Sequence, residues 1–550
     1  MITRMFFTLR NWLKRVRNRV SRNKWALRLL NLPVCDMTRE GPGVILIQLD
    51  GLSFTQFHKA LVTGRLPFLG KRIAINNHVY KPMYSGMPST TPAFQGELFY
   101  GVKSCVPAFE FISRSEQQRH ISFYPQTANR IGDRLEKSGT PLLSGGHTYS
   151  TIFTGGAAQA RYCSQTMTLE SIARTVNPLK LVFLQLLHTG KFLRILAVTV
   201  IEFFLAVTDF FRGLVQGRKF IKELVFIPAR IFICVILREL VSFRAKLAVG
   251  RGVPIVCASF LGYDEQAHRR SPGSMFAHWS LKGIDDTIKD ICRAADQSNC
   301  RKYETIIYSD HGQETVLWYG SRYGVPVKEA IRKAYFDLKP DAAHAHSTSY
   351  DNTLDGLYKK ARAYVMNRPF SENLQKKSGP VSPDKIEITT MGPLGHVYLP
   401  GTATRDFVRK FAQTLSRSVH IPLVLYREDH STVAVTAQGT FDLEQEFLMV
   451  LGKDHPFAAG TAEDLARVCR HADAGDIVIS GWDPTGTPLS FNIESGAHGG
   501  PGREETRGVV VLPECLNTKK AYLRAQDLRH LIQDYRNGWT SHEHRENSQL

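Results

Sequence analysis

The chain has 550 residues, 43% hydrophobic and 22% charged, which is long enough for two or three domains or one large α/β domain with insertions and excludes a disordered chain. It carries 70 Lys and Arg against 50 Asp and Glu, a formal charge of +20. Its nine cysteines form no Cys-x-x-Cys pair, which suits a reducing compartment and argues against a disulfide framework or a zinc knuckle.

The basic charge is concentrated at the start. Residues 1–31 hold nine bases (Arg4, Arg10, Lys14, Arg15, Arg17, Arg19, Arg22, Lys24 and Arg28) and no acid. Leu9, Trp12, Leu13, Val16 and Val20 share one face of a helix at this spacing. Residues 1–40 are therefore read as a basic amphipathic segment suited to an anionic membrane surface. A solvated arm and a nucleic-acid contact are the competing readings, nucleic acid being the less favoured partner. No uninterrupted apolar run follows the charges, as a signal peptide would need. The expected location is cytoplasmic, peripheral on the membrane.

Val44–Leu49 is the first predicted strand, apolar on both faces and ending at Asp50. Pro88-Ser-Thr-Thr-Pro-Ala-Phe94 places hydroxyls just before a predicted helix start. Residues 41–177 form the first part of an α/β core. Residues 178–250 read as long apolar helices interrupted by Arg194, Glu202, Asp209, Arg212, Pro228 and Arg230. They are either a cap over the site or a hairpin in the membrane interface; a transmembrane pair fits the interruptions less well. The core resumes over 251–515. Predicted strands at Val253–Leu261 and Thr305–Tyr308 again lead to acids, Asp264 and Asp310, and a helix spans Leu281–Ala295 between them. This alternation predicts a doubly wound, mostly parallel α/β sheet with a helical insertion, whose site lies beyond the carboxyl ends of the strands. Residues 371–386 read as a loop, His396–Leu399 and Ile421–Tyr426 as strands, and 516–550 as a helix with a frayed tail.

Five segments carry the chemistry: Asp50, Ser89-Thr90-Thr91-Pro92, Asp264-x-x-x-His268, Asp310-His311-Gly312 and Gly496-Ala-His498-Gly499. Singly each is weak, since a Thr-Thr-Pro step is usually a helix start and a histidine in a glycine loop is usually only that. Together they supply the Asp and His donors that Zn²⁺ or Mn²⁺ prefers. Asp264 and His268 stand one helical turn apart and can face one ion. Gly312 permits the tight turn that adjacent Asp310 and His311 require.

In this order the segments resemble the alkaline-phosphatase superfamily, nearest its type I phosphodiesterase/nucleotide pyrophosphatase branch. The resemblance covers residues 43–101, 253–315 and 490–512. It implies an alkaline-phosphatase-like fold and two divalent metals, zinc with manganese as the alternative. One would be held by Asp264, His268 and His498, the other by Asp50, Asp310 and His311. It implies a phosphoric ester hydrolase working through a phospho-threonine, with Thr90 as the nucleophile, Thr91 as runner-up and Ser89 third. The substrate would be a small or lipid-linked phosphoester. Ala93 stands where the phosphodiesterase branch often carries Asn, so a nucleotide substrate is not implied. No sulfatase motif is present, and His344 and His346 are read as loop residues. A phosphotransferase and a non-catalytic membrane-surface protein on the same fold remain as alternatives.

Overall fold

The computed structural model describes residues 35, 39, 41–75, 78–166, 189–215, 220–339, 384–401 and 403–538. The N-terminal segment 1–34, His344 and His346, most of the 371–386 loop, and residues 539–550 lie outside them.

The strands that organise the molecule are β1 (Gly43–Leu49), β2 (His78–Tyr84), β3 (His147–Tyr149), β4 (Gln159–Arg161), β5 (Ile255–Phe260) and β6 (Tyr303–Tyr308). There follow β7 (Glu387–Met391), β8 (Leu394–Tyr398), β9 (Leu423–Glu428), β10 (Ser431–Thr436), β11 (Gly439–Asp442), β12 (Ile477–Ser480), β13 (Arg507–Pro513) and β14 (Leu523–Arg524). The principal helices are α1 (Phe54–Val62), α2 (Thr91–Tyr100), α3 (Thr189–Val215), α4 (Phe220–Ile231), α5 (Arg238–Gly250), α6 (Gly262–Arg270), α7 (Met275–Asp296), α8 (Arg405–Arg417), α9 (Ala458–Cys469) and α10 (Ala525–Arg536).

The large sheet has the order β14-β2-β13-β6-β1-β5-β3-β4. Its pairings are parallel except those of β13, which runs antiparallel to both β2 and β6. All seven residues of β1 are buried, and the pleat explains why so apolar a strand is needed. Val44 and Leu46 enter one core with α2 and α10, whereas Ile45, Ile47 and Leu49 enter another with α1, α5 and α7. Each such side chain contributes roughly 1.5–3 kcal/mol relative to exposure. Helices thus cover both faces, and the chain has the expected mixed, mostly parallel α/β fold.

A second, all-antiparallel sheet, β7-β8-β12-β9-β10-β11, stands apart with a core on each face. Phe411 and Leu415 of α8 cover one side, Leu465 and Ala466 of α9 the other. Its β7–β8 turn reaches the site: a side chain on Gly392, which has φ +75°, would meet the His498 carbonyl at 2.7 Å. The insertion is helical throughout its described residues, as α3, α4, a π-helical stretch at Phe232–Leu237, and α5. No helix among the described residues is long and apolar enough to cross a membrane.

Candidate active site

Sheet order gathers the acids. β1 lies between β5 and β6, and all three run in parallel. The residues just past their carboxyl ends, Asp50, Asp264 and Asp310, are therefore neighbours although up to 260 positions separate them in sequence. The antiparallel β13 supplies what a parallel strand could not: its amino end lies at the same edge, so the loop before it brings His498 to the acids.

All six proposed ligand residues are buried. Asp50, Asp310 and His311 offer ligand atoms within 4.8 Å of one another, and so do Asp264, His311 and His498. His268 joins the second group through Asp264, its Nε2 lying 3.4 Å from Oδ1, while the His498 Nε2 lies 3.5 Å from the same oxygen. His311 Nε2 stands 3.4 Å from both Asp50 Oδ1 and Asp310 Oδ2, and its ring stacks on His498 at 3.7 Å. The two expected sets of three thus form one continuous cluster, with His311 between them.

The histidines are oriented alike. His311 Nδ1 lies 3.0 Å from the Gly312 carbonyl, His498 Nδ1 lies 3.0 Å from the Ser89 carbonyl, and His268 Nδ1 lies 3.0 Å from both Glu494 and the Gly496 carbonyl. Each ring therefore donates from Nδ1 to an oxygen and turns Nε2 inward, the second-layer arrangement that fixes metal-binding imidazoles. The carboxylates are held too. Gln48 donates to Asp310 Oδ2 at 2.9 Å and is itself held by Gln95 at 3.0 Å; Gln313 donates to Asp264 Oδ1 at 2.6 Å.

Burial pushes the Asp310 carboxyl up to about 7, with the Asp264 charge acting in the same sense and the Thr91 hydroxyl against it. His268 is pulled down by burial, but Asp264 and Glu494 more than reverse this and hold it well above the usual imidazole range. Asp310 Oδ1 is buried with no hydrogen-bond partner. Three buried carboxylates among inward-facing imidazole nitrogens are costly without a cation and fit divalent metal well.

The structure separates the hydroxyls. Thr91 Oγ1 lies 3.4 Å from Asp50 Oδ1 and 3.2 Å from His311 Nε2, inside the Asp50–Asp310–His311 group. Thr90 caps α2 by position, and its buried Oγ1 has no hydrogen-bond partner. Its methyl lies 3.5 Å from where a side chain on Gly499 would begin. Ser89 is spent on structure, donating to the Gly500 carbonyl at 2.7 Å and accepting from the Gly499 amide at 3.0 Å. Of the three hydroxyls, Thr91 is the one at the acids, at the amino end of a ten-residue helix whose dipole favours negative charge there.

Gly312 acts differently from expectation. Its φ is not positive; a side chain would strike the Glu504 carbonyl at 2.1 Å, so close approach requires the glycine. Sequence reasoning left Gln48, Gln95, Gln313 and Glu494 without roles. Gln48 had a visible signal, as the one polar residue in an otherwise apolar strand.

No protein-family model and no curated protein matches the chain. Among solved structures, it is similar to phosphonoacetate hydrolase from Sinorhizobium meliloti 1021 in complex with phosphonoformate, at 13% identity and TM-score 0.46, over 92% of this chain and 98% of that one. It is likewise similar to murine ectonucleotide pyrophosphatase/phosphodiesterase 5 in complex with AMP, at 8% identity and TM-score 0.47, over 90% of this chain and 95% of that one.

Proposed function

We propose that the chain is a metal-dependent phosphoester hydrolase in which Thr91 is the nucleophile. The observation that carries this reading is the Thr91 hydroxyl within 3.4 Å of Asp50 and 3.2 Å of His311, in a buried Asp/His cluster at the amino end of a helix. Asp264, His268 and His498 would hold one divalent ion and Asp50, Asp310 and His311 the other, zinc suiting the mixed oxygen and nitrogen donors. Such ions would neutralise phosphoryl charge and favour ionisation of a hydroxyl near neutral pH.

The chain's own groups account for the rest. Thr91 Oγ1 attacks phosphorus in line with the scissile bond; its proton has Asp50 Oδ1 as the neighbouring acceptor, and the leaving oxygen departs with the bonding electron pair and takes a proton from solvent. Water then attacks the phospho-threonine, the Thr91 Oγ–phosphorus bond breaks, and phosphate and the free hydroxyl result. The α2 dipole favours the alkoxide over the hydroxyl at Thr91. Gln48, Gln95 and Gln313 hold Asp310 and Asp264 in register throughout. Thr90, the nucleophile expected from the T-x-P spacing, precedes the helix without a side-chain capping bond and is the alternative nucleophile. Ala93 offers no side-chain donor to the phosphate, which favours small phosphoesters without commitment to a nucleotide.

The test is hydrolysis of p-nitrophenyl phosphate against bis-p-nitrophenyl phosphate, before and after chelation. Chelation should abolish turnover and zinc restore it. Thr91→Ala should lower kcat by about 10³-fold or more, and Thr90→Ala by about tenfold or less. Turnover that survives complete metal removal overturns the reading, and a loss confined to Thr90→Ala reassigns the nucleophile.

A further inference from the structure

The α3–α4 hairpin is built inside out. Along α3 the buried positions Glu202, Ala206, Asp209, Phe210 and Gly213 recur at helical spacing, so two acids face the protein. Opposite them stand Leu196 (51% exposed), Val200 (48%), Phe204 (62%), Phe211 (60%) and Val215 (90%), and α4 adds Phe220 and Leu224. A helix on a water-facing surface carries the reverse pattern.

The inward charges are paired with one another. Arg230, 2% exposed, pairs with Glu202 at 2.9 Å and with Asp209 at 2.5 Å. Arg270 pairs with Asp209 and Arg269 with Glu223. Glu202, Asp209 and Glu223 are all the acids that the sequence has between positions 189 and 231. The same stretch carries six further bases, Lys191, Arg194, Arg212, Arg218, Lys219 and Lys222, with no acid of its own left to balance them. An apolar face on a segment with this surplus of positive charge complements an anionic lipid surface better than it complements a second copy of this basic chain. No described helix is both long and apolar enough to cross, and charges interrupt α3, which suits an interfacial contact.

We propose that the α3–α4 hairpin seats this protein on an anionic bilayer, with Leu196, Val200, Phe204, Phe211 and Val215 at the boundary between headgroups and acyl chains. The inference stands on the hairpin alone, whatever reaction the site performs. It has a consequence for the site, because Arg269 and Arg270 directly follow His268 on α6. The two ion pairs bind the helix carrying Asp264 and His268 to the hairpin, keeping the candidate site beside the surface on which the hairpin rests.

Full-length protein co-sedimented with vesicles of phosphatidylcholine, with and without about one-third phosphatidylserine, tests this. Binding should be at least about tenfold stronger on the anionic vesicles and fall with salt. Phe204→Asp with Phe211→Asp should weaken it by about tenfold or more, leaving the circular dichroism melt and turnover of a soluble substrate unchanged. Phe204→Trp guards against a misfolded double variant: the emission of the new indole should shift to the blue on anionic vesicles and be quenched by brominated lipid. Equal binding to both vesicles, an unaffected aspartate variant, or an indole that brominated lipid leaves unquenched overturns the proposal. So does sedimentation velocity showing a dimer that the aspartates disrupt, which gives the face to a second copy. Stronger binding after deletion of residues 1–31 gives it to the chain's own N-terminus, and also overturns the proposal.

Discussion

The two threonines of Thr90-Thr91-Pro92 are equivalent as sequence and distinct as structure, because Thr90 is extended at φ −134° while Thr91 begins the helix. Thr91 occupies the first helical position and turns its hydroxyl to Asp50 and His311; Thr90 precedes the helix and does not. A similar geometric demand falls on Gly51, which follows the proposed ligand Asp50 directly. Its φ is +75°, and a side chain there would begin 2.6 Å from Asp264 Oδ1 and 3.0 Å from Asp264 Cβ. Gly51→Ala should therefore move Asp264 and lower metal affinity by about 10–100-fold. Gly64 is the control, with φ +66° and open space around it. Gly64→Ala should cost about 1–2 kcal/mol in stability for the left-handed backbone and nothing in metal affinity. A zinc competition titration on both variants decides, and equal affinity in the two would show that Gly51 is only a turn residue.

At the scale of elements, α2 is buried along its whole length, including the charged Glu97. Arg524 grips Glu97 through two nitrogens at 2.6 and 3.1 Å and reaches Asp464 of α9 at 2.8 Å, so one guanidinium fastens the Thr91 helix to the second sheet's layer. Arg524→Met should destabilise the fold by about 3 kcal/mol, because Glu97 is left buried without its cation while Asp464 keeps Arg467 and the Tyr84 hydroxyl. Adding Glu97→Leu should recover most of that loss in urea unfolding; if it does not, packing rather than charge holds α2. None of this was legible from the sequence, where Arg524 lies 427 positions from Glu97. What was legible were residues at the ends of apolar runs: Asp50, Asp264 and Asp310 stood out because each interrupts or closes one. The second sheet did not, because its strands were visible only as isolated segments such as His396–Leu399. The hairpin failed to read for a related reason. Glu202 and Asp209 look like interruptions in an apolar run, and hydropathy along a chain cannot say which side of a helix faces the protein.

At the scale of the whole molecule, two buried histidines join the layers. His396 of β8 accepts the Gly475 amide on Nδ1 at 3.2 Å and donates from Nε2 to the Pro107 carbonyl at 3.2 Å. His455 accepts the Phe457 amide on Nδ1 at 3.2 Å and donates from Nε2 to the Pro501 carbonyl at 3.0 Å, in the loop that carries His498. With one nitrogen facing an amide hydrogen, neither ring has room for a second proton. Burial pushes both down to about 4. Below about pH 6.5 the unfolded chain takes up a proton at each position and the folded chain does not, so stability is fully present above that pH and is lost as pH falls toward about 4. Each histidine accounts for about 3 kcal/mol over that interval, and the pair for a large share of a typical folding free energy. Glu314 and Glu505 act in the opposite sense. Burial raises them to about 7 and about 8, so they favour folding at low pH and lose that contribution as pH rises through these values. The histidines are isolated by comparing wild type with His396→Gln plus His455→Gln, each glutamine able to accept and donate in place of the ring. The wild-type urea midpoint should drop more steeply than the variant's between about pH 7 and about pH 4.5, and the two curves should run parallel above about pH 7. Parallel curves at every pH would mean that the layers come apart in acid through other groups.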